Sequence, residues 1–334
     1  MATESAEPAL RTRDLRKSFR TKRQAVEAVR GIDLDVRPGE IFGFLGPNGA
    51  GKTTTLRMLA TLLPIGGGEA TVAGVDVRRK PHEVRRRIGY VGQLGGADLP
   101  ATGRENLLLQ GRLYGAGRAD VARRAAELID LLELSDFADR VARTYSGGQR
   151  RRLDVALGIM HRPAVLFLDE PTTGLDPQNR ANLWDQLRAL RALGTTIFLT
   201  THYLEEADVL SDRLAIIDHG RIVSEGTPRE LKQRVAGDTV LITPRQGTRA
   251  IDELCRDLVR EPSVEGAELA GGAVRVSIAD SSQAMPAILG LLQRTAVPVE
   301  SVALWQPSLD DVFLRQTGRS LRDAGDGIDG EEVA

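Results

Sequence analysis

A glycine-rich run, GPNGAGKTT at residues 46–54, is the first part of this sequence whose residue types could do chemistry. Its glycines let backbone N–H groups curl around a phosphate, Lys52 adds a positive charge, and the Thr53 hydroxyl suits Mg²⁺. The apolar run IFGFL precedes it and the helical segment TTLRMLATLL follows, so the helix dipole would favour an anion at this loop. The run predicts a site for nucleotide phosphates and Mg²⁺ with these members: Gly46, Pro47, Asn48, Gly49, Ala50, Gly51, Lys52, Thr53 and Thr54.

Two adjacent acids, Asp169 and Glu170, directly follow the apolar run VLFL. Neighbouring side chains on a pleated strand point to opposite sides, so we expect the two acids to have different roles. Asp169 is the candidate Mg²⁺ ligand, and Glu170 is the candidate base or positioner of attacking water. Two acids at a strand end could instead cap a helix, but the phosphate loop favours the catalytic interpretation.

A second pattern with the composition of a phosphate site is YSGGQRRR at residues 145–152. Ser146, Gly147 and Gly148 are small and permit close approach to their backbone. The run QRRRLDVALGIM begins a predicted helix, whose first N–H groups have no partner within the helix. The chain therefore carries two separate phosphate-binding patterns, and the second one needs a phosphate of its own.

Length and composition indicate an ordinary folded protein of about two domains, with 334 residues of which 41% are hydrophobic. The formal net charge of -1 argues against a global polyanionic partner such as DNA or an anionic bilayer. The single cysteine, Cys255, excludes an intrachain disulfide and a cysteine-based metal site, and it fits a reducing, cytoplasmic setting. No window approaches the ~18–20 apolar residues that span a bilayer, and residues 1–15 lack the apolar core of a signal peptide. We therefore expect a soluble chain.

After a polar leader at residues 1–9, the apolar pattern predicts an α/β domain over residues 10–226. Strands are predicted in the runs ALRTRDLRKSF, VEAVRGIDLDVRPGEIFGFLG with a turn at Pro38 and Gly39, GGGEATVAGVDV, AVLFLDEP and TTIFLTTH. Helices are predicted at 104–142, with a break at 115–117, and at 178–193. The run DRLAIIDHGRIVSEG predicts a terminal hairpin that turns at 218–220. Parallel strands that alternate with helices, with antiparallel strands at one edge, are typical of P-loop α/β proteins.

The remaining sequence shows a different order of predicted strands and helices. After a linker at 227–238, residues 239–318 show the order βαββαβ: TVLITP, a helix near 249–259, a hairpin folding about Gly271 and Gly272, a helix near 282–294, and VPVESVALW. This order is typical of a small ferredoxin-like α+β domain. The end, residues 319–334, is glycine-rich and acidic, which predicts a disordered tail.

Taken together, these motifs resemble the ATP-binding subunits of ABC transporters over about residues 10–226. GPNGAGKT resembles the Walker A loop, VLFLDEP the Walker B strand and YSGGQ the family signature. Gln93 in YVGQ resembles the Q-loop glutamine, GLDP at 174–177 the D-loop, and His202 in LTTHYLEEAD the switch histidine. The resemblance implies a P-loop NTPase domain with a helical subdomain at about 94–160, and ATP and Mg²⁺ as cofactors. Tyr145 departs from the pattern, because the family usually has leucine there.

The resemblance also implies roles for single residues. The signature of one subunit would close on ATP held by the phosphate loop of a second copy, so the second phosphate pattern would act in trans through Ser146, Gly147, Gly148 and Gln149. His202 would contact the γ-phosphate; the alternative is a satisfied histidine at a strand end. Gln93 would act on the metal and the attacking water, and Asp176 would lie at the dimer interface. Phe19 stands where the family has an aromatic residue that stacks on adenine, although a lone phenylalanine is commonly a core residue.

Two further stretches resemble the drug-exporting branch of the family: TGRENL followed by GRLYG, and LWQPSLDDVFLRQTGRSL at 304–321. The second is similar to the ending of daunorubicin-resistance-type ATPases, and its Leu309, Val312 and Phe313 would also form the apolar face of a packed helix. The implied function is a homodimeric ATPase at the cytoplasmic face of the cell membrane. It would drive a separate integral-membrane permease that exports a drug or another hydrophobic compound, with no nucleic-acid partner. The segment after Gln93 would receive the coupling helix of that permease.

Two alternatives come from other classes. One is an import ATPase whose C-terminal domain senses a small molecule. The other is a soluble ABC ATPase that acts on ribosomes or DNA. Proteins of the second kind usually carry two ATPase domains or a long coiled-coil insertion, and this sequence shows neither pattern.

Overall fold

The computed structural model describes residues 7–20, 25–235, 238–245, 251–270, 273–278, 281–295, 298–305 and 307–321. The chain divides into two compact units, a larger one of Met1–Thr227 with Leu321–Ala334 and a smaller one of Pro228–Ser320. Within the described ranges, no helix combines the length and the apolar composition needed to cross a bilayer.

The larger unit contains ten strands and seven α-helices in its described residues. The strands are β1 Leu10–Arg20, β2 Ala25–Val36, β3 Ile41–Leu45, β4 Gly67–Val72, β5 Val75–Asp76, β6 Ile88–Val91, β7 Val165–Asp169, β8 Thr196–Thr201, β9 Arg213–Asp218 and β10 Arg221–Gly226. The helices are α1 Lys52–Leu59, α2 Pro81–Arg87, α3 Gly103–Leu113, α4 Arg118–Leu131, α5 Gly147–Gly158, α6 Pro177–Ala192 and α7 Leu204–Leu210.

Two sheets organise this unit. The larger sheet has the order β10-β9-β3-β8-β7-β6, and the smaller has the order β2-β1-β4-β5. In the larger sheet β9, β3, β8, β7 and β6 run parallel, and only β10 pairs antiparallel, with β9. The expected α/β architecture with an antiparallel edge is therefore confirmed.

The side chains of β7 explain why its sequence is an unbroken apolar run. Val165 and Phe167 pack into the core shared with the smaller sheet and α1. Leu166 and Leu168 pack on the opposite face, into the core formed with α4, α5 and α6. A strand covered on both faces cannot alternate apolar with polar residues, so its sequence is continuous.

In the helical segment between β6 and β7, a capping box defines the start of α3 and a left-handed residue follows the end of α4. Thr102 caps α3 through a reciprocal capping box with Glu105. The sequence stretch 104–142 predicted helix beyond Leu131, and this part is wrong. Glu133 has a φ of 51°, a left-handed conformation that cannot continue a helix.

The smaller unit has the strand and helix order α8 Pro228–Gln233, β11 Asp238–Pro244, α9 Ile251–Val259, β12 Val264–Ala270, β13 Ala273–Ile278, α10 Ser281–Thr295, β14 Val299–Trp305 and α11 Leu309–Thr317. Its sheet is antiparallel with the order β12-β13-β11-β14. The predicted ferredoxin-like βαββαβ order is confirmed. Gly271 and Gly272, the predicted turn between β12 and β13, lie outside the described residues.

The start of this unit differs from the sequence expectation, whereas its last helix agrees with it. The expected linker 227–238 contains α8, because Pro228 favours a helix start and Leu231 is fully buried. The apolar face of α11, formed by Leu309, Val312 and Phe313, is buried as expected, and α11 contacts α8.

Within the expected tail 319–334, Leu321 is buried and belongs to the larger unit. Residues 322–334, and residues 1–6 of the expected leader, lie outside the described residues.

His161, just after α5, links the helical segment to the sheet. Its ring stacks flat on Tyr114 with 3.8 Å between centroids, and Nε2 lies 2.8 Å from the Ile88 carbonyl oxygen. That carbonyl needs a donor, so Nε2 carries the proton and the buried Nδ1 has no partner in the described residues. Burial lowers the pKa of His161, and the bond to Ile88 opposes this effect only in part.

We expect His161 to make the free energy of unfolding depend on pH. The folded pKa is depressed, so the unfolded chain binds the proton more readily, and stability falls as pH drops below the unfolded value of about 6.5. Urea unfolding at pH 7.5 and pH 5.5 measures this loss, which is at most about 1.4 kcal/mol per pH unit. His161→Gln should lose less stability than wild type over this interval, whereas His82→Gln, at an exposed histidine, should behave as wild type. An equal loss in wild type and His161→Gln would contradict the assignment.

Candidate functional site

The glycine-rich loop connects β3 to α1 and lies tightly against two neighbouring strands. A Cβ atom at Gly46 would lie 2.3 Å from the Ile217 carbonyl oxygen, and one at Gly51 would lie 2.4 Å from that of Ala28. Gly51 also has a φ of 104°, which L side chains rarely adopt. Glycine at these two positions is therefore required by the packing of the loop itself. Asn48 and Gly49 are exposed at its outer side, and Thr54 is half-buried in the first turn of α1.

Lys52 is buried and bends back over this loop. Its Nζ donates to the carbonyl oxygens of Gly46 at 2.7 Å and Pro47 at 3.0 Å. Burial lowers the pKa of Lys52, while the nearby carboxylates of Glu170 and Asp169 oppose this shift. The loop carbonyls thus hold the ammonium group in place at the N-terminus of α1, where an anion is favoured.

Asp169, the last residue of β7, is completely buried and has one oxygen to spare. Its Oδ1 accepts hydrogen bonds from the hydroxyls of Thr53 at 2.9 Å and Thr200 at 2.7 Å. Its Oδ2 is buried without a hydrogen-bond partner among the described residues. A buried carboxylate oxygen of this kind beside a threonine hydroxyl fits a hard cation such as Mg²⁺.

Glu170 directly follows the last residue of β7, and the opposite orientation expected for the two acids stays a prediction. One carboxylate oxygen is 3.3 Å from Lys52 Nζ, and the other is 3.3 Å from His202 Nδ1. Burial raises the pKa of Glu170, but His202 and Lys52 outweigh burial and hold the pKa below its usual value. The side chain is therefore a carboxylate, the form that can accept a proton from water.

The backbone of Glu170 is strained. Its φ is 47°, a left-handed conformation that is uncommon for a residue with a side chain. Its N–H donates to the Thr200 carbonyl oxygen at 3.1 Å, which fixes the turn. Strain of this size persists only where surrounding contacts maintain it, and it often marks a functional position.

Helices α6 and α7 hold His202 in its place. The Arg180 guanidinium lies over the Tyr203 ring at 4.7 Å, and the Trp184 indole donates to the buried Glu206 carboxylate at 3.3 Å. Burial raises the pKa of Glu206. Because Tyr203 and Glu206 flank the start of α7, these contacts fix the chain directly after His202.

Two clefts adjoin the pair formed by Glu170 and His202. One, of about 350 Å³, is lined by residues that include Pro47, Asn48 and His202. The other, of about 370 Å³, is lined by residues that include Gln93, Gly147 and Glu170. Gln93 itself is exposed on the loop after β6. The structure thus places Gln93 and Glu170 at one cleft, and His202, which contacts Glu170, at the other.

The signature residues form the N-terminus of α5. Ser146 Oγ accepts from the Gln149 N–H at 3.3 Å, and the Gln149 side chain accepts from the Ser146 N–H at 3.0 Å, a capping box. The Ser146 hydroxyl donates to no group in the described part of the chain, so its proton can serve another acceptor. Ser146 and Gly147 are exposed, so the helix N-terminus is accessible to an anion. Gln149 contributes to this site by holding Ser146 in place through the capping box.

The two glycines of the signature differ in their surroundings. A Cβ at Gly148 would lie 2.3 Å from Asn179 Oδ1, whereas a Cβ at Gly147 would have its nearest neighbour 3.9 Å away. Asn179 is fixed in turn by Asp176, which caps α6 and accepts the Asn179 N–H at 2.9 Å. Gly148 therefore lets the starts of α5 and α6 pack closely, and Gly147 faces open space.

Tyr145 replaces the usual leucine without disturbing the signature. Its ring is buried, packs edge-on against Phe137, and donates its hydroxyl to the Phe137 carbonyl oxygen at 2.6 Å. A Cβ at Gly103 would lie 2.3 Å from this hydroxyl, so glycine there makes room for it. The exchange is accommodated inside the helical segment.

Phe19 lies near the end of β1 and is exposed, with Lys17 Nζ 5.4 Å from the centre of its ring. It pairs with Val26 on β2, two residues before Ala28, whose carbonyl oxygen faces Gly51. The ring is therefore a surface residue that can stack on a ligand.

Thr200 and Asn179 belong to the site but were not identified from the sequence. Thr200 is directly opposite Asp169 in the parallel register of β7 and β8. Aligning the two apolar runs FLD and FLT would have revealed this pairing. Asn179 follows the capping Asp176 by three residues, the usual spacing for a helix cap contact, but its closeness to Gly148 depends on tertiary packing.

Comparison with known proteins gives matches over most of the chain. Residues 29–173 match the family model described as "ABC transporter", and residues 226–317 match "ATP-binding protein DrrA1-3-like, C-terminal domain". The chain is 50% identical to the daunorubicin/doxorubicin resistance ATP-binding protein DrrA of Streptomyces peucetius, over 89% of each chain. It is 46% identical to the daunorubicin resistance ATP-binding protein DrrA2 of Streptomyces coeruleorubidus, over 93% of this chain and 95% of that one.

A solved structure of an ATP-binding subunit of an ABC transporter is similar in fold. It has a TM-score of 0.59 and 26% identity, and the match covers 68% of this chain and 92% of that one.

Alanine substitutions at the two signature glycines should show that Gly148 is required for packing and that Gly147 is not. Gly148→Ala forces Asn179 to move, and we expect the free energy of unfolding to fall by about 1–3 kcal/mol, as for other overpacked sites. Gly147→Ala meets open space and should change stability by less than about 1 kcal/mol. Urea unfolding of both variants measures the difference. Adding Asn179→Ala to Gly148→Ala should restore part of the loss, and a double variant as unstable as the sum of the single variants would contradict the contact.

Proposed function

This chain belongs to the family of ABC transporter ATP-binding proteins and hydrolyses ATP, and from that premise we propose that it drives drug export through a separate membrane permease. For ATP hydrolysis, the observation that carries the proposal is the pairing of Glu170 with Lys52 and His202 at the end of β7. In this proposal the three groups would lie around a terminal phosphate and its attacking water. The assignment of export rests on the relatives named above, which are resistance ATP-binding proteins.

The proposed chemistry gives each residue one task. Lys52 and the N–H groups of the loop bind the phosphates, and Phe19 stacks on the base. Asp169 and Thr53, assisted by Gln93, would hold Mg²⁺, which would supply positive charge against the phosphates. Glu170 accepts the proton of the attacking water or orients that water, and His202 contacts the terminal phosphate.

We propose further that the complete site forms between two copies of the chain. Each copy offers a phosphate loop and, at the N-terminus of α5, the accessible Ser146 and Gly147. The second phosphate pattern of the sequence would bind the nucleotide of the other copy, with Asp176 near the interface. Loss of the terminal phosphate would remove the shared anchor and let the copies separate.

The permease would bind beside Gln93. A groove of about 640 Å³ is lined by residues of α1, the loop after β6 and α3, among them Arg57, Gln93, Leu94 and Tyr114. Leu94 is fully exposed at this groove. An exposed leucine next to a catalytic glutamine is a suitable contact for a helix of a membrane partner. The chain would thereby be peripheral at the cytoplasmic face of the membrane, without a nucleic-acid partner.

The alternatives are less well supported. A soluble ATPase acting on nucleic acid gives no account of the exposed groove, and the relatives argue against an import ATPase with a sensor domain.

Glu170→Gln should bind ATP, lose most of its hydrolysis and accumulate as a dimer. The amide keeps the shape of the side chain but cannot accept a proton, so we expect the ATPase rate to fall by a factor of about 10² or more. Light scattering after gel filtration, with and without ATP and Mg²⁺, measures the dimer. Glu83→Gln, at an exposed acid of α2 that lines neither cleft, is the matched control and should hydrolyse ATP normally. An ATP-loaded but monomeric Glu170→Gln protein would contradict the two-copy site.

Leu94→Glu should abolish association with the permease. Tagged protein would be purified from native membranes in a mild detergent, and co-purifying proteins identified by mass spectrometry. We expect a stoichiometric partner with several membrane spans that is lost in Leu94→Glu, because a charge would be buried in an apolar contact. Leu193→Glu, at an exposed leucine that does not line the groove, should retain the partner. Recovery of ribosomal or DNA-bound proteins instead would overturn the transport proposal.

A further inference from the structure

Arg151, in the second turn of α5, is a buried cation whose nitrogens all reach main-chain carbonyls. Nε donates to Pro171 O at 2.8 Å, Nη1 to Gly92 O at 2.6 Å and Nη2 to Asp169 O at 3.1 Å. Gly92 directly precedes Gln93, and Asp169 and Pro171 flank Glu170. One guanidinium group thus joins the signature helix to the two segments that carry the candidate catalytic residues.

Asp154, one turn further along α5, holds the other end of the same loop. Its Oδ1 accepts the Gly96 N–H at 2.9 Å. Gly95 has a φ of 74°, and a Cβ there would lie 2.7 Å from Asp154 Oδ2, so the loop passes very close to this carboxylate. The loop from Gly92 to Gly96 is therefore fastened at both ends to one face of α5.

This arrangement differs from simple core packing. A buried arginine is costly unless it is fully hydrogen-bonded, and its planar fork can satisfy several acceptors at once only in one orientation. The side chains of Gln93 and Leu94, between the two fastened ends, are exposed. The contacts hold the main chain of the loop and leave its functional side chains accessible.

We propose that Arg151 and Asp154 are positioning residues that make the Gln93 loop move with the signature helix and keep it in register with Glu170. The proposal rests on the proposed function in one respect, the role of Gln93 at the metal and the attacking water. A shift of α5 that follows binding of a second copy at Ser146 would then be transmitted directly to Gln93.

The test compares Arg151→Met with wild type in the full-length protein. Methionine fills similar space but leaves the three carbonyls without their donor. We expect kcat for ATP hydrolysis to fall roughly 10- to 100-fold, as for a displaced positioning group, while KM changes less than about threefold because Lys52 and its loop are untouched. Hydrogen exchange of the amides at 92–97 should accelerate at least about tenfold, since the loop is released. Arg151→Lys should recover part of kcat, because an ammonium group can still reach some of the carbonyls.

Two further variants make the result specific. Arg152→Met is the matched control, because Arg152 lies in the same helix but contacts Glu133 and Phe137 within the helical segment. It should change neither the exchange at 92–97 nor kcat by more than about twofold. Asp154→Ala releases the loop from its other end and should accelerate exchange at Gly96, which keeps the proposal testable if Arg151→Met does not fold.

The outcomes separate this proposal from the proposed function. Wild-type protein without ATPase activity would refute the proposed function, while the exchange measurement, which needs no nucleotide, would still decide whether the loop is fastened. Active wild type together with unchanged exchange and kcat in Arg151→Met would overturn the positioning role. An equal loss of kcat in Arg152→Met would also overturn it, because the effect would then be a general weakening of α5.

Discussion

The parallel pairing of β3, β8 and β7 is the constraint on which the rest of the site depends. Because the three strands run in the same direction, their carboxyl ends lie at one edge of the sheet. The glycine-rich loop, the two acids and His202 each follow one of these ends. The register places Asp169 opposite Thr200, and one threonine can then fix both the Asp169 side chain and the Glu170 backbone. The long separations between these residues in the sequence become short distances without any feature beyond strand order.

Burying charged side chains at this edge of the sheet would be unfavourable if they were not paired with opposite charges. Lys52 and Glu170 are each largely withdrawn from water, and burial alone would shift both toward their neutral forms. For Lys52, the carboxylates of Glu170 and Asp169 oppose the lowering of its pKa by burial. For Glu170, His202 and Lys52 outweigh burial and keep the pKa below its usual value. The result is a lysine and a carboxylate held at fixed positions in a region of low dielectric, where their effect on a phosphate is stronger than in water. Among the described residues, the buried Oδ2 of Asp169 has no hydrogen-bond partner, so this oxygen is available to a cation.

Sequence predicted the parts of the site that depend on local pattern. The loop, the strand ends and the start of α5 are short motifs in which residue type and spacing determine conformation. The φ of 47° places Glu170 outside the strand, so the pleat alone does not determine how its side chain is oriented relative to Asp169. What could not be predicted depends on side chains that meet only in three dimensions. Gly148 contacts Asn179, Arg151 reaches Gly92, and Tyr145 fits over Gly103. Helical periodicity also continued past Leu131, because it does not detect the single left-handed residue that ends α4.

Helix α5 does more than present the signature residues, because it also packs against two neighbouring parts of the site. At its first turn Gly148 lies against Asn179, which is bonded to the cap of α6; one turn later Arg151 and Asp154 hold the Gln93 loop. The start of α5, which would meet the second nucleotide, is therefore linked through Asn179 to Asp176 at the candidate dimer interface, and its second turn holds the loop beside the candidate permease groove. Coupling between two binding events requires an element on which both act, and the free energy of that coupling is reciprocal. If a permease binds at the Gln93 loop as proposed, its effect on the affinity of α5 for nucleotide would equal, as a factor, the effect of nucleotide on the affinity for the permease.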